Sequence, residues 1–433
     1  MKQLCIISCP IDTHSGYGAR SRDFFKALYE LKKEDWDFQI LPQRWGVTPW
    51  GYIKDNQQEW GWVNQFLNKS GRIEKQPDVW IQVTIPNEFQ PVGKYNIGVT
   101  AGVETTMCHH TWIEGLNRMD VTLVSSNHAK KVFQDSIFEK KNQQGLTVDQ
   151  IKLQKPVEVL FEGVDLNKYF YIEDDNLEET DLVKTLDGIE ESFCFLFVGH
   201  WLQGDIGEDR KNTGLMLKTF LETFQNKRDK PALILKTSGA GASVMDREEM
   251  LRKIDAIRNQ VGENLPNVYL VHGELSDSDI NNLYNHSKVK AMFNLTKGEG
   301  FGRPILEFAM VKKPIIVSGW SGHMDFLKSE YTCLLSGELK NVHRSASAKD
   351  IILQESQWFS PNVQQARHYL KEVYENYKKY KELAKQQSYY SKTNFNYDKM
   401  KESLQKYVEV IPKQVQLELP KLKKIELPKL NKV

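Results

Sequence analysis

Short apolar runs alternate with longer amphipathic stretches from one end of the chain to the other. Runs at 4–8, 38–41, 79–85, 96–100, 121–125 and 157–161 read as strands in the first half, and 193–198, 232–237, 268–271, 289–294 and 314–318 in the second. Stretches with helical spacing lie between them at 19–31, 127–138, 214–224, 247–260, 277–284 and 304–311. Such alternation predicts right-handed βαβ units and parallel sheets covered on both faces. The pattern runs through twice, so two doubly wound α/β domains are expected. A length of 433 residues suits about two domains of ordinary size.

The break between the halves is legible. Residues 173–191 carry nine acids against the single base Lys184, which reads as a solvated connector. After residue 361 the chain turns helical and rich in Tyr and Lys. Near the end, Leu417-Glu418-Leu419-Pro420-Lys421-Leu422 recurs as Ile425-Glu426-Leu427-Pro428-Lys429-Leu430, and the prolines exclude one continuous helix. The expected organisation is a first domain at 1–172, the connector at 173–191 and a second domain at 192–375. C-terminal helices returning to the first domain follow at 376–411, and an extended basic tail at 412–433.

Composition narrows the class. Lys plus Arg is 58 against 57 for Asp plus Glu, a balance that argues against a chain built to coat nucleic acid or anionic membrane. No apolar run approaches a bilayer span, and the first residues form a short strand-like run rather than a signal peptide. The five cysteines are scattered and form no Cys-x-x-Cys pair, which favours a reducing, cytoplasmic location over a disulfide framework or a zinc ribbon.

Three glycine-bearing strand-to-helix turns hold the candidate chemistry. Gly16 and Gly18 follow the opening strand, where bare backbone amides at a helix start can approach a ligand. Ser21 stands where a dinucleotide fingerprint needs its third glycine. The second turn leads through Gly199-His200-Trp201 to Arg210 and Lys211, and Lys236 ends the next strand run. Ligands of parallel sheets lie beyond the carboxyl ends of strands, so these three cations are placed to converge on one anion. The third turn is Lys297-Gly298-Glu299-Gly300-Phe301-Gly302-Arg303-Pro304-Ile305-Leu306-Glu307. Pro304 marks the helix start, Gly300 and Gly302 bare its amides, and Glu307 sits about one turn in. The neighbours of Glu307 are apolar, so its carboxylate needs a partner or a ligand.

These residues resemble the retaining glycosyltransferases of family 4, with the GT-B fold of two Rossmann-like domains facing across a cleft. Glu299 and Glu307 stand in that family's E-x7-E spacing with Gly-Phe-Gly between them. The resemblance runs on through the Gly16-Tyr17-Gly18 loop, the segments 120–126 and 162–165, Lys211 with its helix, and His272-Gly273-Glu274-Leu275. It implies a nucleotide-diphosphate sugar donor, with UDP the first choice, and no cofactor. Glu307 would bind the ribose hydroxyls and Glu299 the sugar. Arg210, Lys211 and the amides around Phe301 and Gly302 would hold the diphosphate, with Lys236 nearby and His272 near the base. The chain has Gly199-His200 where the family has Gly-Arg, and a longer loop before Lys211, which gives Arg210 its part.

The first domain is expected to supply a group at the reacting sugar, with Glu104 and His109 or His110 as candidates beside ordinary loop residues. No metal site is expected: of the two Asp-x-Asp runs, Asp277-Ser278-Asp279 opens a helix as a cap and Asp35-Trp36-Asp37 lies in a turn. Six of the ten tryptophans fall between Trp36 and Trp80. Trp45 and Trp50, in a Gly- and Pro-broken segment, are candidates for acceptor recognition, with loop packing as the alternative. The acceptor reads as a glycan or other hydroxyl compound. A modified nucleic-acid base, with nucleic acid as partner, is a second reading, and a non-catalytic sugar-nucleotide-binding protein a third.

Overall fold

The computed structural model describes residues 2–142, 144–173, 176–239 and 241–412. Apart from its first residue, the expected tail lies outside them. The first unit contains β1 (Gln3–Cys9), β2 (Trp36–Pro42), β3 (Val79–Val83), β4 (Tyr95–Thr100), β5 (Val121–Val124), β6 (Phe138–Lys141), β7 (Thr147–Ile151) and β8 (Val157–Val159). Six of these form a sheet in the order β2-β1-β3-β4-β5-β8, every neighbouring pair parallel. The second unit contains β9 (Cys194–Val198), β10 (Ala232–Lys236), β11 (Val268–Val271), β12 (Val289–Asn294), β13 (Ile315–Ser318) and β14 (Cys333–Leu335). Its order is β11-β10-β9-β12-β13-β14, again all parallel. The architecture is therefore two Rossmann-like α/β domains.

Parallel strands with helices on both faces must be apolar on both faces. In β1, Cys5, Ile7 and Cys9 enter the core under the helix Gly16–Lys32, while Leu4 and Ile6 enter the core on the opposite side. In β9, Cys194 and Leu196 face one core and Phe195 and Phe197 the other. The strand order turns back between β1 and β3 and between β9 and β12, which opens a crevice at the carboxyl end of each sheet.

Each of the eleven apolar runs read as strands forms one, and the six helical stretches form helices. The sequence pattern omits the hairpin of β6 and β7 and a second one formed by β15 (Gly337–Asn341) and β16 (Gln357–Pro361). β6, β7 and β15 are largely exposed and carry no alternation of apolar and polar residues that would mark them. The acidic run is not wholly a solvated connector. It contains the helix Asp181–Asp187, capped by Thr180, which buries Val183 and Leu186. Charge density concealed this because the two apolar residues occupy one narrow stripe.

The last described helix, Tyr397–Glu409, crosses back onto the helix Gly16–Lys32, and its Met400, Leu404 and Val408 enter the first unit's core. Leu404→Ala should therefore destabilise the first unit by about 2–5 kcal/mol, the usual cost of emptying a buried leucine site. Urea unfolding followed by tryptophan fluorescence would show it as a lowered midpoint.

Candidate functional site

The switch point of the second sheet brings two loops together. One runs from β9 to the helix Thr213–Phe224, the other from β12 to the helix Arg303–Ala309. Gly302 opens the latter helix at φ +97°, a backbone region that favours glycine. The loops are bolted to each other: Lys297 N–H donates to the Arg210 carbonyl at 2.8 Å, and Arg210 Nη1 donates to the Gly298 carbonyl at 3.1 Å.

At this junction Lys211 Nζ lies 2.6 and 2.8 Å from the two carboxylate oxygens of Glu299, and Arg210 Nη1 lies 3.4 Å from Oε2. Lys211 and Glu299 are both buried. Burial alone would raise the Glu299 carboxyl, but Lys211 and Arg210 outweigh it and hold it at about 2. Burial likewise works against the Lys211 ammonium, and Glu299 is what sustains its charge. Arg210 also reaches across to Glu104 of the first unit, 3.7 Å away. Burial lowers His200, just past the end of β9, and Lys211, Arg210 and Lys236 add to the shift; Lys236 Nζ itself donates to the Gly273 carbonyl at 2.7 Å.

Glu307 is buried one helical turn beyond Gly302. Its Oε1 lies 3.5 Å from Arg303 Nε, and Tyr284 donates to Oε2 at 3.4 Å. Burial pushes its carboxyl up to about 7, Asp277 and Asp23 adding to the shift and Arg303 opposing it. Arg303 is a residue that motif reading passed over. It pairs with Asp23 at 2.7 Å and Glu162 at 3.6 Å, both in the first unit, and so ties the units at the crevice. Its place inside the quoted glycine motif was the available signal.

The remaining candidates disperse. Gly18 gives its N–H to Ser15 Oγ at 2.9 Å, and a Cβ there would meet the Thr13 carbonyl at 2.3 Å, so it serves the turn; Gly16 faces open space. Phe301 packs into the core beside Phe326. A Cβ on Gly300 would come within 2.8 Å of the Ala101 carbonyl of the first unit. His272 Nε2 pairs with Asp246 at 2.7 Å. His109 caps the helix His110–Arg118 and faces Asp350 at 3.5 Å, while His110 is half exposed near Glu114. Of the first-unit candidates, Glu104 is the one paired with the cation cluster. Trp45 stacks on Tyr17 with centroids 3.9 Å apart, and the Tyr17 hydroxyl is held by Thr100 and the Ala101 N–H; Trp50 is exposed, with Arg44 over its ring. Among the described residues no group of three or more His, Cys, Asp or Glu gathers to hold a metal ion. Nor is any described helix long and apolar enough to cross a membrane.

Residues 217–390 match the family model for glycosyl transferases group 1. The matched span contains Lys236, His272, Glu299 and Glu307, and begins just after Arg210 and Lys211. No curated protein matches the chain. Among solved structures, sucrose-phosphate synthase from Thermosynechococcus elongatus is 12% identical with a TM-score of 0.59, over 94% of this chain and 98% of that chain. HepE from Anabaena, solved with UDP and glucose, is 12% identical with a TM-score of 0.56, over 94% and 99%. A UDP-forming trehalose-phosphate synthase from Burkholderia xenovorans is 10% identical with a TM-score of 0.57, over 95% and 99%. At these identities the likeness is one of fold: all are built as this chain is.

The raised Glu307 carboxyl has a stability signature. Between about 4.5 and 7 the folded chain holds this proton more firmly than the unfolded chain, so its contribution to stability falls as pH rises through that window. Glu307→Gln should remove that slope and melt above wild type at pH 8. Melting temperatures of the two proteins across pH 5–8 would check it.

Proposed function

We propose that the chain is a retaining glycosyltransferase of family 4 that moves a sugar from a nucleotide-diphosphate sugar to an acceptor hydroxyl on a glycan. The observation that carries this reading is the buried Lys211–Glu299 pair with the partly buried Arg210 beside it at the second sheet's switch point, and Glu307 on the helix that follows. The group 1 match over 217–390 supports it. HepE has been solved with UDP-glucose, which supports UDP as the donor nucleotide.

In this reading the bond between the anomeric carbon and the diphosphate breaks, and one forms from that carbon to the acceptor oxygen, whose proton passes to an oxygen of the departing diphosphate. Negative charge grows on the departing diphosphate. Lys211 and Arg210 stand where such charge is stabilised, worth on the order of 3 kcal/mol for each well-aimed group. Glu299 accepts hydrogen bonds from the sugar and Glu307 from the ribose diol. Attack comes from the face the diphosphate leaves, so the two glutamates are not the acid and nucleophile of a retaining glycosidase. With two cations at the diphosphate, turnover should persist in a chelator. Scattered cysteines support a cytoplasmic location.

Release of nucleoside diphosphate from a panel of sugar nucleotides, with and without oligosaccharides, tests the reading. Lys211→Ala should lower turnover by about 10²–10³-fold with its circular dichroism unchanged; near-normal turnover would refute the role given to Lys211. Stimulation by hydroxymethylated DNA, but not by oligosaccharides, would replace the glycan with a nucleic-acid base as acceptor.

A further inference from the structure

Two segments that each carry an imidazole pack together where the units close, and neither imidazole has a part in the reaction above. His323 lies in the turn after β13 and is fully buried. Its Nε2 is 2.6 Å from the Ser318 carbonyl, which can only accept, so Nε2 carries the proton and Nδ1 is left an acceptor. That Nδ1 is buried with no hydrogen-bond partner. The turn is fastened to Glu299: Ser321 Oγ accepts from the Glu299 N–H at 2.9 Å, and Gly322 N–H donates to the Glu299 carbonyl at 3.0 Å. His323 Cβ would lie 3.2 Å from a Cβ built on Gly302, so the histidine sits against the loop that carries Glu299.

Facing it from the first unit is His128, in the first turn of the helix Asn127–Asp135. Its Nε2 is also buried without a partner, and Trp320 closes edge-on against its ring with centroids 4.6 Å apart. Asn127 N–H donates to Asp325 Oδ2 at 2.8 Å and holds the two segments together. Burial disfavours the charged form of both rings: it pulls His128 down to about 4, with His323 adding to the shift and the backbone at Thr105 and Val103 opposing it, and it lowers His323 too. A buried acceptor without a donor costs free energy. Phosphate and carboxylate groups, being acceptors, do not relieve it; a hydroxyl does.

We propose that His323, with His128 opposite, contacts the hydroxyls of the transferred sugar, which makes this pair the feature that favours a sugar nucleotide over the bare nucleoside diphosphate. The inference rests on reading the crevice as a sugar-nucleotide site and names the side chains that read the sugar.

Calorimetry on the full chain with UDP, GDP and ADP, and with UDP-glucose, UDP-N-acetylglucosamine, GDP-mannose and ADP-glucose, tests it. Wild type should bind one sugar nucleotide more tightly than the matching diphosphate. His323→Gln can keep the bond to Ser318 but removes the atom at Nδ1. It should bind the bare diphosphate as wild type does and lose about tenfold of the sugar-dependent gain. His323→Asn puts an oxygen where Nδ1 stood and gives up the Ser318 bond, so it should melt lower yet keep more of that gain. His128→Asn, which withdraws Nε2, should lose part of it. If His323→Gln keeps the full gain, or if the order of Gln and Asn is reversed, the histidine is structural and the inference fails. Wild type that binds a diphosphate but no sugar nucleotide more tightly would overturn this inference alone. Wild type that binds none of the nucleotides would overturn the proposed function as well.

Discussion

A carboxylate buried against two cations is a poor way to hold a protein together. Removing each ion from water costs several kcal/mol even after relaxation, and an ion pair near 4 Å returns only about 4 kcal/mol at the effective dielectric of such sites. Apolar residues of similar volume would serve stability at least as well. Glu299 and Lys211 nonetheless lie buried together, with Arg210 partly buried beside them, at the one place in the second sheet where strand order reverses. Their side chains come from two separate loops, each anchored by backbone bonds to the other. An arrangement so costly to bury, and so firmly fixed, is preorganised charge.

The same constraint explains how closely the units approach. A Cβ on Gly298 would sit 1.9 Å from the Glu104 carbonyl oxygen, and one on Gly322 would sit 2.2 Å from the Gly300 carbonyl, so glycine is what allows these loops to nest. Thr106 and Gln357 exchange hydrogen bonds across the same seam, and Arg303 bridges to Asp23 and Glu162. Lys211 is buried beneath these contacts, and the field of a buried charge is screened less than it would be on an open surface.

Much of this could be read from the chain, for physical reasons. Strands buried on both faces have to be apolar, so β1, β9 and β12 stand out as runs, and the glycine motif around Glu299 announces a tight turn before a helix. Exposed hairpins such as β6 with β7 obey no such rule. Contacts between distant segments left no local trace either: Arg303 with Asp23 depends on the closing of one unit upon the other, and His323 beside the Glu299 loop on the packing of two turns within the second unit. His109 and His110 drew notice as histidines in a polar loop, but one is used as a helix cap and the other is half exposed. His128 and His323, each embedded in an ordinary strand-to-helix connection, also carry buried ring nitrogens that lack partners, as His110 Nδ1 does.

The two motif glutamates show how environment divides identical groups. Glu299 meets two cations and is held at about 2; Glu307, among apolar neighbours and within reach of Asp277 and Asp23, is pushed to about 7. The first is therefore a fixed negative charge that sets the geometry of Lys211. The second is half protonated near neutral pH, and a pair of hydroxyl donors would draw it to the ionised form; in the function proposed above, where Glu307 receives the ribose diol, donor binding would expel a proton there. A fixed charge suits a group that must hold cations before the donor arrives, and a group so easily ionised suits one that waits for a diol.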